Sequence, residues 1–478
     1  MALCGLALVF SCSQSGQPSQ SSQTNGISGL TNAQVVPAAN PTGLTIGALF
    51  SLKQSPSLQT AIQFAVQDVN AQFTKAGVTF TVSVKFQDTQ GNPALAYAGI
   101  QTLHDAGIRL IIGPEGNDAT AAVLDYAKTN GMVVITPAAA TSQLTTAGSN
   151  LFLMSPVDTQ QAALLAFKQT AAGCLNLLTF SRADIYGQDL YRDLQNQLPA
   201  GSFFQQSYDI NATTVDSFID YSVEIATAFA YEVLTSNFTP NDQAAIAKAI
   251  AGVCLQTISN TEGAAILDVA SQWVMLAEQA SALYPMDTTL ALSGLNSINL
   301  NQVKWYGSDG IVLAPQVTGD ATAAQFAVDI GFRAPQFSVS PASFASFGAF
   351  LTRIGGGVTT QSIYAGNAYD AVQLAAATSF QLGGSLDSTK WMPQLPITSA
   401  LFTGGNVTIQ SVPFTSVTGN LAIAANGSRA EANYAMWGIK KNGNSYSWFI
   451  EEICSEGLAT MQWTCIPYSP CGIPGYAC

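Results

Sequence analysis

The stretch that most constrains the fold runs from Gly113 to Thr145, GPEGNDATAAVLDYAKTNGMVVITPAAATSQLT. An apolar run, Arg109 to Ile112, precedes it and reads as a buried strand. Ala119, Ala122, Val123, Tyr126 and Ala127 recur at helical spacing, and Gly131 marks a helix end. Met132 to Thr136 is a second β-rich run, followed by the small-residue loop Pro137 to Thr145. Two strand-to-helix loops are thus separated by one βαβ unit. In a parallel sheet both open at the carboxyl ends of the strands, where open α/β sheets bind ligands. Gly116, Asn117, Asp118, Ala139, Ala140, Thr141 and Ser142 make these loops small and polar. Such loops bring backbone N–H groups and helix N-termini close to an anion.

The chain before this stretch repeats the pattern. Leu44 to Leu49 reads as a buried strand, and Leu58, Ala61, Ile62, Ala65, Val66 and Val69 form one face of a helix. Val82 to Phe86 is a further strand, and Pro93 opens the next helix. Strand, helix, strand, helix, strand predicts a doubly wound parallel sheet.

Composition bounds the function. The 478 residues suffice for two or three ordinary domains, and 48% are apolar, so the chain folds. A net charge of −13 with 16 Lys+Arg argues against nucleic-acid binding. No run after the leader is long and apolar enough to span a bilayer. His104 is the single histidine and no C-x-x-C pair occurs, which speaks against a zinc site. His104 itself reads as a surface or half-buried side chain. No G-x-S-x-G, G-x-x-x-x-G-K-[ST] or H-E-x-x-H motif is present, so neither an enzyme nor a cofactor is expected. Six cysteines outside the leader, Cys174, Cys254, Cys454, Cys465, Cys471 and Cys478, suit disulfides in an oxidising compartment.

Several motifs, in order, carry a family resemblance: IGALF, AVQDVN, FQDTQGNP, IIGP and TPAAATSQLT, then LLTFSRADIYGQDL, KWYGSDGI, GNAYDAVQLAAA and VTGNLAIAANGSRAEANYAMWGIKKNG. Together they resemble the type I periplasmic-binding-protein family over roughly Thr42 to Glu452. That family includes the leucine/isoleucine/valine-binding proteins and the extracellular domains of metabotropic glutamate receptors. The resemblance implies an α/β, two-lobed fold in which each lobe is a doubly wound parallel sheet. Residues 42–156 and 338–432 would form lobe I, and 157–337 with 433–452 lobe II. The crossing falls on LFLMSPVDTQQAALL. AAILDVA, Ala264 to Ala270, reads as a second-lobe strand, and a helix is expected around Trp273 to Ala282.

Two regions depart from the family. An insertion at about 217–257 reads as two helices, with Cys254 at the end of the second. A bridge from Cys254 to Cys174 would staple the insertion to the lobe. Residues 453–478 read as a disulfide-rich tail that locks the chain end, with docking to a partner as the alternative. At the other end, the apolar run 1–11 followed by Cys12 resembles a lipoprotein signal peptide, with Cys12 lipidated and 12–41 a Ser/Gln-rich flexible linker.

A free amino acid needs two poles. Its carboxylate wants hydroxyls and backbone N–H groups, and its ammonium wants a carboxylate. The resemblance places the carboxylate pole on Asn117, Ala139 and Thr141, with Asn117 where serine is usual. It places the ammonium pole on Asp158 at the crossing, Tyr186 of Tyr-Gly, and Asp309 of Gly-Ser-Asp-Gly. Local readings compete: Asp309 as a turn former, Asp158 as a helix cap, Tyr186 packed within its lobe. Glu115 and Asp118 read as solvated acids. The function implied is an extracytoplasmic, lipid-anchored solute-binding protein, periplasmic or at the cell surface, that delivers a small polar ligand to an ABC permease. A receptor-like sensor without transport is the alternative.

Overall fold

The computed structural model describes residues 43–145, 148–198, 203–209, 211, 252–271, 303–355, 362–457 and 462–468. The expected leader and linker with Cys12, most of the insertion, the helix around Trp273, and Cys471 and Cys478 lie outside the described residues.

Each apolar run becomes a strand and each amphipathic run a helix. The first sheet holds β1 (Leu44–Phe50), β2 (Val82–Asp88), β3 (Leu110–Ile112), β4 (Val133–Thr136) and β5 (Leu151–Leu153) in the order β2-β1-β3-β4-β5. All its pairings are parallel. Helices cover both faces, so the central strands read as continuous apolar runs and not as alternations. α1 (Pro56–Lys75) begins with proline at its first turn and buries Leu58, Ala61, Ile62, Ala65, Val69 and Phe73. α2 (Pro93–Asp105) is capped by Asn92, whose side chain accepts from the N–H groups of Ala94 and Leu95. α3 (Asn117–Thr129) follows β3.

The second sheet repeats this order. β6 (Asn176–Arg182) lies between β7 (Phe203–Tyr208) and β8 (Val253–Ile258), followed by β9 (Lys304–Tyr306) and β10 (Arg333–Phe337). These five pair in parallel. Three antiparallel strands extend the sheet: β13 (Asn433–Asn442), β14 (Ser445–Glu456) and β15 (Trp463–Pro467), while β11 (Asn406–Ile409) and β12 (Val412–Thr415) form a separate hairpin. α4 (Asp158–Ala171) and α5 (Ile185–Gln197) belong to this lobe. The helix Ser362–Gln381 returns to the first lobe, and Tyr369, Ala371, Val372 and Leu374 join the same apolar core as α1.

Two expectations are corrected here. Ala264 to Ala270 is helical, within a helix that spans residues 263–271. Gly263, Ile266, Leu267 and Ala270 are buried at three- and four-residue spacing, the period of a helix face. The strand is β8 instead, so Cys254 lies inside a strand and not at a helix end. Its disulfide with Cys174 joins β8 to the chain entering the neighbouring β6, across a sequence separation of 80. The tail, within the described residues, continues the second sheet: Cys454 of β14 and Cys465 of β15 face one another across the strands and are disulfide-bonded.

The three passages between the lobes converge on Arg429, which is 2% exposed. Its guanidinium donates to the carbonyls of Met154 (3.3 Å), Thr418 (3.1 Å) and Asn420 (2.6 Å) and to the Thr418 hydroxyl (2.9 Å). It also lies over the Phe337 ring, 5.1 Å from the centroid. Met154 belongs to the first passage, Phe337 to the second, and Arg429 itself leads into β13. Among the described residues, no helix is long and apolar enough to cross a membrane.

Candidate functional site

The carboxyl ends of both sheets face each other, and the loops that leave them carry the polar side chains. In the first lobe, Gly113 sits at φ +102, and a Cβ there would meet the Leu49 carbonyl oxygen at 2.3 Å. Glycine is therefore required where β3 turns toward α3. The Thr136 hydroxyl donates to the Pro114 carbonyl (2.6 Å) and accepts from the Ala139 N–H (3.1 Å). Asn117, at the first turn of α3, accepts from the Ala140 N–H at 3.0 Å. Asn367 donates to the Pro137 carbonyl at 2.8 Å. The two loops expected to hold a carboxylate are thus tied to each other, with the N–H groups of Ala139 and Ala140 bonded inside the protein.

Thr141 is fully buried and heads the short 3-10 turn Ser142–Leu144. Its hydroxyl donates to Asp189 of α5, in the opposite lobe. Gln143 donates to the other Asp189 oxygen at 2.8 Å, and Ser142 donates to Asp193 at 3.0 Å. Asp189 and Asp193 are four residues apart and share one face of α5. Arg192 pairs with both.

Asp158 is 1% exposed at the start of α4, and its N–H donates to the Ala140 carbonyl at 2.7 Å. It does not cap the helix: the cap position is Val157, and no side-chain cap bond forms. Neither carboxylate oxygen of Asp158 has a hydrogen-bond partner among the described residues. Burial raises its pKa well above the carboxylate range, and the charges of Asp309 and then Asp193 add to the shift. Among the described residues no cation offsets them. A buried acid without donor or cation is costly to a fold and is a candidate functional position.

Tyr186 lies in the first turn of α5. Gly187 beside it admits no Cβ, which would meet the Arg182 carbonyl oxygen at 2.1 Å. The Tyr186 hydroxyl donates to Asp309 at 2.6 Å. The second Asp309 oxygen accepts from Tyr364 at 2.9 Å. Since Tyr364 belongs to the returning first-lobe helix, Asp309 joins the lobes. The phenols of Tyr186, Tyr364 and Tyr434 are held neutral, first by burial and next by the charge of Asp309. Two carboxyl groups and three tyrosines therefore form one cluster, reached from both lobes.

Sequence reasoning assigned Asp158, Tyr186 and Asp309 to one ammonium pole, and the structure brings the three together; Thr141, assigned to the carboxylate pole, instead bonds Asp189 of α5. It missed Tyr364, Tyr434, Asp189 and Asp193. Only the last two left a signal, an acidic pair at helical i, i+4 spacing directly after Tyr186. Glu115 and Asp118 are not the solvated acids expected. Asp118 is half-buried and accepts from the Ile185 N–H of the other lobe; burial and then the charge of Asp184 raise its pKa. Glu115 accepts from the Ser51 N–H at 3.2 Å, and burial raises its pKa to about 7. His104 is half-buried, with Nδ1 2.9 Å from the Tyr126 hydroxyl and no contact with the cluster.

The Glu115 shift predicts a pH dependence. Between the unfolded value near 4.5 and the folded value of about 7, the folded chain holds a proton that the unfolded chain has lost. Stability therefore falls as pH rises through that window, by on the order of 2–3 kcal/mol from this group. Glu115→Gln removes this part of the slope, and denaturant titrations at pH 5 and pH 8 measure it.

A separate cavity, lined by Phe337, Phe344, Phe347, Ile363 and Trp437, lies where the chain returns to the first lobe. It contains no charged side chain and is distinct from the carboxyl cluster.

Comparison with known proteins agrees with this architecture. Residues 57–442 match the family model described as the receptor family ligand binding region. A curated protein of Methanocaldococcus jannaschii, uncharacterised, is 20% identical over 411 residues, covering 84% of this chain and 86% of its own length. Among solved structures, the leucine-binding protein LivK of Thermotoga maritima superposes with a TM-score of 0.58 at 14% identity, over 86% of this chain and 98% of that one. A Desulfitobacterium hafniense ABC-transporter substrate-binding protein in complex with Leu gives 0.54 at 15% identity, over 85% and 100%. A Rhodopseudomonas palustris solute-binding protein in complex with 4-hydroxybenzoate also gives 0.54 at 15%, over 85% and 97%. With two lobes of the same strand order and a family match that spans most of its length, the chain belongs to the receptor ligand-binding-region family of type I periplasmic-binding-protein-like proteins.

Proposed function

We propose that the protein is an extracytoplasmic solute-binding protein that captures a small ammonium-bearing ligand, an amino acid in the first place, between its lobes. The observation that carries this reading is Asp158, a buried carboxyl whose two oxygens lack donors among the described residues. An ammonium supplies the charge and the N–H groups that the fold withholds. Asp309, with Tyr186 and Tyr364 on its two oxygens, is the second acid of the pole, and the tyrosine rings provide faces for a cation. Thr141, with the loop held by Asn117 and Ala139, takes the carboxylate. Because the cluster draws side chains from both lobes, ligand binding is coupled to lobe closure.

Delivery is to an ABC permease, a reading supported by the ABC-transporter substrate-binding proteins among its structural neighbours, and Cys12 carries a lipid that anchors the mature chain to the membrane. A receptor-like sensor uses the same cleft without transport.

A thermal-shift panel of amino acids, their amides and short carboxylic acids tests the ligand class. A ligand at about 100 times its Kd adds about 2.7 kcal/mol of stability. A shift with amino acids that Asp309→Asn abolishes is the expected result. A shift confined to acids without an amine would contradict the ammonium pole.

A further inference from the structure

Resting on the reading above, we propose that Asp189 is an internal competitor for the ligand's carboxylate: it occupies the side-chain donors that the carboxylate must use, and so sets which ligands bind and how tightly. Three side chains of the first-lobe loop donate across the cleft: Thr141, Ser142 and Gln143. Two of them, Thr141 and Gln143, donate one to each oxygen of Asp189. The third, Ser142, donates to Asp193 at 3.0 Å and lies 3.4 Å from Asp189. The backbone offers little in their place, since the N–H groups of Ala139 and Ala140 are bonded to Thr136 and Asn117. Asp189 is fully buried, so its carboxylate is held at these donors and not shared with solvent.

A bidentate carboxylate on a hydroxyl and an amide is the contact that an amino acid's own carboxylate would make there. The two anions cannot share the donors, because like charges at hydrogen-bond distance repel. Binding is therefore an exchange of one carboxylate for another. Arg192, three residues on along α5, pairs with Asp189 and gives the displaced side chain a partner on its own helix. The contact also joins the lobes, so the exchange opens one bridge as the ligand makes another.

This predicts an asymmetry that a purely structural bolt does not. Removing Asp189 frees Thr141 and Gln143 for the ligand, and only ligands with a carboxylate gain. A bolt that forms after the ligand enters would instead lose affinity when removed, whatever the ligand.

The experiment is calorimetric titration of the full chain and of Asp189→Ala and Asp189→Asn. The probes are a panel of L-amino acids and the decarboxylated amine of each one that binds. Melting curves show that each variant is folded. Asp189→Asn keeps the shape of the side chain and guards against collapse of the α5 face in Asp189→Ala. The expected result is amino-acid binding about tenfold tighter in Asp189→Ala, a smaller gain in Asp189→Asn, and amine binding changed by less than about twofold. Amino-acid binding that is unchanged or weaker overturns the competitor, as does equal tightening of acid and amine. If the wild-type chain and both variants bind no amino acid, the ammonium-ligand reading fails as well, and the two failures are thereby told apart.

Discussion

Asp158→Asn stabilises the protein at neutral pH and abolishes capture of an amino acid. Both effects follow from one geometry. The carboxyl is buried, without donors among the described residues, and beside a second acid. Its folded pKa lies above the unfolded value, so the folded chain keeps a proton that the unfolded chain releases. Stability from this group is full below the unfolded value, near pH 4, and is lost as pH rises toward the folded one. Asparagine carries no charge and removes this loss, so the variant gains on the wild type as pH rises above about 4. The same change removes the charge that an ammonium needs. Chemical denaturation from pH 4 to 8 reads the first effect and ligand titration the second. A variant that is more stable and inactive is the expected signature of a functional acid.

Arg429→Met destabilises the protein by about 3–5 kcal/mol, the range for breaking a buried, hydrogen-bonded charge. Methionine fills much of the volume and keeps contact with Phe337, but the carbonyls of Met154, Thr418 and Asn420 lose their donor. Asp370 is left with its hydrogen bonds from Ser416, Val417 and Thr418, and without the nearby positive charge that lowers its pKa. Its pKa then rises further, so the loss is larger at pH 8 than at pH 5. Urea denaturation at the two pH values measures both. Because Arg429 ties the passages between the lobes, its replacement also loosens the geometry in which Asp309 meets Tyr364.

What the sequence made legible divides by physical cause. β1, β3 and β4 are buried on both faces, and their unbroken apolar runs announced a parallel sheet. Pro93 marked a helix start because its fixed φ is local chemistry, and the structure adds Asn92 as the cap. Ala264 to Ala270 misled for the reason that a short apolar run has no period of its own to separate a buried helix from a buried strand. The burial at Gly263, Ile266, Leu267 and Ala270 shows the helix only once the partner elements are in place. The site splits in the same way. Asp309 and Tyr186 stand in short motifs of glycine and polar residues. Tyr364 opens a helix that arrives from more than 50 residues away in sequence, and no local pattern links it to Asp309. Glu115 and Asp118 looked like solvated acids because charge is usually outside. Their burial is set by Ser51 and by the N-terminus of α5, which the fold brings from distant parts of the chain.

The central claim is that Asp158 holds a ligand's ammonium, and calorimetric titration of wild type and Asp158→Asn with the amino acid that gives the largest thermal shift tests it most directly. Run at pH 7 in two buffers of different ionisation enthalpy, it also counts protons. The predicted result is binding by the wild type with proton release, as the ammonium draws the carboxyl into its ionised form, and no binding by the variant. Equal affinity in both proteins would contradict the account.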